Sequence, residues 1–171
     1  QRMRRLVARL LQLARADAGV GFSAGLHDIA ALTPLVIADV APRSTAGRIT
    51  TILPEGPVPA RIDPDAYAIV LGNLVENALQ HGPAGEDITV SVGPGPVLEV
   101  ANGGADERRL DTLPHRFNRR EGGGFGLGLH ICDQIVGQAG GRLELLSPAP
   151  GRADGFMVRV HLPGTAPTGM G

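Results

Sequence analysis

Apolar residues recur at helical spacing over four stretches of this chain and alternate over several shorter ones. In residues 1–18, Met3, Val7, Leu10 and Ala14 form one stripe with Leu6 and Leu13 beside it. Arg2, Arg5 and Arg9 occupy the other side, and Gly19 and Gly21 end the pattern. It opens without an N-cap signal, so it reads as the last part of a longer helix or equally as an ordinary surface helix. Residues 26–41 read as mainly helical, with a short strand entering. Asp63 followed by Pro64 is an N-cap with proline at the first helical position, and the helix runs to His81. Leu127, Leu129, Ile131, Ile135 and Val136 give the last helix, within residues 122–140.

Strands are expected at residues 48–53 and 58–62, joined by the turn Pro54-Glu55-Gly56-Pro57. Residues 87–92 and 97–101 alternate around Gly93-Pro94-Gly95-Pro96, a hairpin pattern. Residues 142–146 and 155–162 supply two more strands across a Pro/Gly-rich turn. Residues 82–85 form a turn, residues 105–121 a charged loop, and residues 163–171 a frayed tail. No internal repeat is visible.

Two polar features stand out against this pattern. On the 63–81 helix, Leu71, Leu74, Val75 and Ala78 fall on one side, and Asn73, Asn77 and Gln80 on the other. A solvated face would favour Arg, Glu or Lys, which are better helix formers than Asn. Amide oxygens are hard ligands that suit Mg²⁺ beside phosphate and water. The second feature is the loop Gly124-x-Gly126-x-Gly128 running into a helix. Glycine lets a backbone approach a ligand closely, and a helix start offers free N–H groups and a positive dipole end. The pair suggests a phosphate chain between the two helices. A flexible loop before a packing helix is the plain alternative.

Composition narrows the chemistry. All sixteen basic residues are arginine, which excludes a lysine-dependent phosphate loop and a protein-kinase fold built on a strand lysine. A net charge of −1 with no Trp argues against nucleic acid as a partner. A single cysteine, Cys132 in an apolar helix, reads as a buried inert thiol and rules out an intrachain disulfide. No apolar run reaches membrane-spanning length, so no membrane contact is expected. His27-Asp28 reads as a helix cap rather than a catalytic pair.

The blocks then fall in a recognisable order. NLVENALQHG at 73–82 resembles the asparagine box of the sensor histidine kinase catalytic domain, of the gyrase-like ATPase superfamily. VANGG at 100–104 is similar to its first glycine box, LPHRFNR at 113–119 to its phenylalanine box, and GGGFGLGLHICDQIV at 122–136 to its second glycine box. GRLELLSP and GFMVRVHLP resemble its closing hairpin. The resemblance implies an α/β two-layer sandwich: a mixed, mostly antiparallel sheet packed on helices, with ATP between the helices and a short lid. It implies an ATP-binding domain over residues 21–163 and a tail at 164–171. Residues 1–20 would be the last part of a dimerisation and phosphoacceptor helix.

By the same resemblance, ATP or ADP with Mg²⁺ is bound. Asn77 would hold the metal, Asn73 would support the phosphates and Arg119 would lie near them, these three being the catalytic candidates. Gln80, His81, Asn102, Gly104, Phe117, Gly124, Phe125, Gly126, Leu127, Gly128 and Leu129 would complete the nucleotide site. Asn102 stands where the family has the aspartate that reads the adenine amino group, so it is expected to accept that hydrogen bond. Three departures accompany the match. The helix with the acceptor histidine is not among these segments, and His27, with Pro34 too far downstream, does not replace it. Gln80 stands where a lysine is frequent. The first glycine box has lost its aspartate and its second glycine, and the lid between Arg119 and Gly124 is short.

The implied reaction moves the γ-phosphoryl group of Mg-ATP to a histidine on a helix outside these segments. Implied partners are that helix in a homodimer and a response regulator, at the cytoplasmic end of a membrane-anchored sensor. An anti-sigma-factor-like serine kinase is the alternative in the same fold; the lead-in LLQLARADAG argues against it. A second alternative is a non-catalytic interaction module that no longer binds nucleotide usefully.

Overall fold

The computed structural model describes residues 25–41, 46–82, 85–102, 127–146 and 155–165. The lead-in helix expected at 1–18, the phenylalanine box and most of the second glycine box lie outside the described residues. Within them, strand β1 (Leu26–Asp28) leads into helix α1 (Ile29–Val40). Strands β2 (Ile49–Ile52) and β3 (Pro59–Arg61) follow, then helix α2 (Pro64–His81). Next come β4 (Ile88–Val92), β5 (Val97–Asn102), helix α3 (Leu127–Gln138), β6 (Arg142–Leu146) and β7 (Phe156–His161).

Among the described residues, five strands form one sheet in the order β2-β4-β5-β7-β6. Only β2 and β4 run parallel; the other neighbours are antiparallel, as expected of a mixed, mostly antiparallel sheet. β1 and β3 make a separate antiparallel pair. The expected strands on either side of Pro54–Pro57 therefore both exist but do not pair with each other. They are divided between two sheets because β2 reaches β4 through the α2 crossover, which a parallel neighbour requires.

Alternation decides which face is covered. Val90 and Val92 of β4, Leu98 and Val100 of β5, Leu143 of β6 and Val158 and Val160 of β7 are buried under the helices. Their neighbours in sequence, Ser91, Glu99, Glu144 and Arg159, form a polar row on the opposite face. α2 is the central helix: it packs against α1 on one flank and α3 on the other, and reaches β4 and β5 beneath. Tyr67, Val70, Leu71, Leu74 and Val75 are almost completely buried there, so α2 carries much of the core.

Local chemistry fixes the ends of these elements. Asp63 Oδ1 accepts from the N–H groups of Asp65 (2.9 Å) and Ala66 (3.3 Å), the cap expected from the sequence. Asp28 Oδ1 accepts from Ala30 N–H (3.0 Å) and also from Val58 N–H (2.8 Å), so one carboxylate starts α1 and pins the β2–β3 loop. His27 lies in β1 opposite Ala60, a strand position as read from the sequence. Pro163 is not loose: its carbonyl accepts from Arg61 N–H at 2.6 Å.

Candidate nucleotide site

The site candidates among the described residues lie on the second half of α2, the first turn of α3 and the end of β5. Asn73 was expected on an open polar stripe with Asn77 and Gln80. The structure instead buries it, at 7% exposure, while Asn77 is half-buried and Gln80 exposed. The stripe is graded because α3 lies against only part of it. Asn73 Nδ2 donates to the Ile69 carbonyl one turn back, at 2.8 Å. Its Oδ1 faces Gly128 so closely that a Cβ there would lie 3.2 Å from it. This contact brings the asparagine helix and the start of the glycine-box helix together, and it gives Gly128 a spatial reason.

Asn77, one turn further along α2, differs from Asn73. Its half-buried side chain has no hydrogen-bond partner among the described residues. An amide held at a helix surface with its oxygen uncommitted can become a hard oxygen ligand. Among the described residues no group of three His, Cys, Asp or Glu side chains is arranged to hold a metal ion. The Asn77 amide fits a Mg²⁺ ion that it would share with phosphate and water, a common mode for this ion. Gln80 Nε2 donates to Glu76 Oε1 at 3.0 Å, an exposed i,i+4 pair, and His81 is the last residue of α2.

Asn102 closes β5 and is 5% exposed. In the amide orientation that pairs both ends, Nδ2 donates to the Phe156 carbonyl at 3.0 Å and Oδ1 accepts from Gly82 N–H at 3.3 Å. Asn102 therefore touches the C-terminal end of α2 and the first residue of β7. Gly82 has no room for a side chain: a Cβ would lie 2.7 Å from the Ala78 carbonyl and 3.3 Å from Asn102 Cβ. Neither Gly82 nor the Phe156 carbonyl was singled out from the sequence. A glycine directly after His81 was a visible signal for the former; nothing local in the sequence marks the latter.

On α3, Leu127 is half-buried against the core and Leu129 is inside it, at 4% exposure. Gly104, Phe117, Arg119, Gly124, Phe125 and Gly126 lie outside the described residues. Cys132 is fully buried at the α2–α3 contact with Sγ 3.6 Å from the Val70 carbonyl. Burial, and then Asp133 beside it, push its thiol well above the usual range, so it is the inert thiol expected. Tyr67, under the first half of α2, is pushed up to about 12 by burial, partly offset by its bond to Thr33.

Comparison with known proteins gives the family and the fold. The family model described as "Histidine kinase-, DNA gyrase B-, and HSP90-like ATPase" matches residues 62–166. A Pseudomonas aeruginosa protein named "Bacteriophytochrome" is 32% identical over 159 residues, covering 84% of this chain and 21% of its own length. "Sensor protein BasS" of Salmonella typhimurium is 33% identical over 142 residues, with 76% and 39% covered. "Probable sensor histidine kinase TcrY" of Mycobacterium tuberculosis is 32% identical over 178 residues, with 98% and 37% covered. The chain thus spans between about a fifth and two-fifths of these curated relatives. Among solved structures, the histidine kinase domain of the E. coli osmosensor EnvZ matches with TM-score 0.61 and 27% identity, 86% of this chain and 93% of that one being covered. Acinetobacter baumannii histidine kinase AdeS matches with TM-score 0.65 at 19% identity, covering 95% and 78%, and shows the fold alone.

Proposed function

Because the chain belongs to the histidine kinase-, DNA gyrase B- and HSP90-like ATPase family, as the ATPase domain of a sensor kinase, we propose that it binds Mg-ATP between α2 and α3 and supplies the γ-phosphoryl group to a histidine on a dimerisation helix. The observation that carries this reading is the uncommitted amide of Asn77, one turn from the Asn73–Gly128 contact. Asn77 would hold Mg²⁺, which when bound neutralises phosphate charge. Asn73, with one amide end anchored on Ile69, would steady the phosphate side. Gly128 keeps α3 against that amide, and Gly124 and Gly126 would wrap the triphosphate with backbone N–H groups. Arg119 would add the cation that Gln80 does not supply. Gln80, His81, Gly104, Phe117, Phe125, Leu127 and Leu129 would surround the nucleotide, with Asn102 at the base end. Positioning and charge stabilisation would do most of the catalytic work.

The acceptor would be a histidine of the dimerisation helix, with a response regulator receiving the phosphoryl group next, on the cytoplasmic side of a membrane-anchored sensor. No helix among the described residues is long and apolar enough to cross a membrane. His27 in β1, His81 ending α2, His130 on α3 and His161 in β7 occupy no such helix. Incubated with radiolabelled ATP, the chain should acquire no acid-labile phosphate on these residues; label on His27 would refute the assignment. Calorimetry with ADP tests binding itself. Mg²⁺ should tighten ADP, and Asn77→Ala should remove most of that gain. If neither EDTA nor Asn77→Ala changes ADP affinity, Asn77 is not the metal ligand.

A further inference from the structure

The family resemblance gives Asn102 the task of reading the base, but the structure sets its amide against backbone groups. In the amide orientation that pairs both ends, Oδ1 accepts from Gly82 N–H and Nδ2 donates to the Phe156 carbonyl; in the other, Nδ2 reaches the Ala78 carbonyl at 3.5 Å, again a backbone group. The side chain is almost wholly buried, and Gly82 lies against it with no space for a Cβ. Three elements that sequence separates, the end of β5, the end of α2 and the start of β7, thus meet on one neutral amide. We infer that Asn102 is a positioning residue, a clamp that fixes the last turn of α2 against the sheet and so sets the base end of the pocket, rather than the group that selects adenine.

The chemistry requires an amide. The Gly82 N–H already donates to the Ala78 carbonyl at 2.9 Å and can share the Asn102 oxygen, while the Phe156 carbonyl faces the amide nitrogen, and Asn offers one acceptor and one donor in a single plane. An ionised aspartate is acceptor-only. It could keep Gly82 but would set a carboxylate oxygen against a carbonyl oxygen in a buried place, where an unpaired charge is costly. The departure from the family's aspartate is then matched to this chain's own backbone, and restoring the acid should not improve binding. The inference rests on the nucleotide reading for its link to binding; the clamp itself does not.

The test compares wild type, Asn102→Asp, Asn102→Ala and Gly82→Ala by thermal unfolding, and by calorimetry with Mg-ADP and Mg-GDP. Asn102→Asp should melt below wild type and no higher than Asn102→Ala. Gly82→Ala should behave like Asn102→Ala. All three should weaken Mg-ADP several-fold while leaving the ratio of ADP to GDP affinity within about twofold, well under one factor of ten or 1.4 kcal/mol. Should Asn102→Asp match wild type in stability and tighten ADP, or should Asn102→Ala abolish the preference for ADP, Asn102 is a base reader and the clamp is wrong. A second measurement needs no variant. In the ¹⁵N-labelled wild-type chain, the Asn102 side-chain amide protons should exchange slowly without nucleotide and shift little when Mg-ADP is added; fast exchange, or a large shift, overturns the inference. If wild type binds neither ADP nor GDP, the nucleotide reading fails, while the order of melting temperatures and the proton exchange still decide the clamp.

Discussion

Both halves of α2 carry polar side chains at the contact with a neighbouring helix, yet they do opposite things. In the first half, Tyr67 Oη lies 2.6 Å from Thr33 Oγ1, and Thr33 Oγ1 donates to the Ile29 carbonyl at 2.7 Å. This chain is closed: each buried donor ends on a protein acceptor, and its effect is to lock α1 onto α2. In the second half, Asn73 spends one N–H on Ile69 and Asn77 spends nothing among the described residues. Buried polar groups are normally satisfied, and the capacity left open among the described residues lies at the end of α2 where we propose that the nucleotide binds. The difference follows from neighbours. α1 covers the first half with side chains, whereas the second half meets α3 at Gly128, which brings no side chain.

The largest effect expected from breaking this contrast is on the closed half. Tyr67→Ala removes a fully buried ring at the α1–α2 contact and should cost about 3–5 kcal/mol of stability, read by denaturant unfolding. A loss below about 1 kcal/mol would mean the site collapses freely and α1 is not held there.

On the open half the expected cost falls on binding. Gly128→Ala places a Cβ 3.2 Å from Asn73 Oδ1, so that amide or α3 must give way by a few tenths of an ångström. Mg-ADP affinity should fall roughly tenfold, the equivalent of 1.4 kcal/mol, while the melting temperature changes little. Equal ADP affinity in the variant would show that Asn73 does not need its present position.

The contrast also explains what could be read from the sequence. The elements were legible because each has a local cause: the Asp63-Pro64 start, the period-two alternation of β4 and β5, the glycine that ends α2. The polar stripe was legible only as a stripe. That Asn73 is buried and Asn77 is not depends on where α3 crosses, which helical periodicity on one helix cannot contain. The division of β2 and β3 between two sheets was hidden for a similar reason: a Pro-Glu-Gly-Pro turn is compatible with a hairpin, and only the crossover through α2 decides against it. Asn102 shows the deeper limit. A motif position predicts a ligand contact, whereas the groups that face its amide, Gly82 N–H and the Ala78 and Phe156 carbonyls, are backbone and carry no side-chain signature.

A smaller change sharpens the comparison. Tyr67→Phe deletes the hydroxyl and leaves Thr33 bonded to Ile29, so no donor is orphaned. The cost should be about 1 kcal/mol in chemical unfolding. ADP affinity should be unchanged, because the closed half lies away from the proposed nucleotide site. A shift in affinity would couple the halves and weaken the distinction drawn between them.

The smallest effect belongs to polar groups outside both halves, on the open face of the sheet. There Ser91, Glu99, Arg159 and Glu144 run across β4, β5, β7 and β6, with Arg159 Nε 2.6 Å from Glu99 and His161 Nε2 3.1 Å from Glu144. The Glu144 carboxyl is held below its ordinary value of 4.5, chiefly by the hydrogen bond to His161, against the opposing effect of burial, with Arg142 also helping. A lowered carboxylate stabilises the fold above its unfolded value and loses that contribution as the pH falls through the lowered one. Glu144 is 38% exposed, so water screens the pair, and about 0–1 kcal/mol is the expected scale. Glu144→Gln should therefore lower the melting temperature slightly at neutral pH, with the gap closing as acid protonates the wild-type carboxylate. ADP binding should not respond. Thermal melts of the two proteins across the acid range read this directly; a gap that persists once Glu144 is protonated would assign the loss to packing rather than charge.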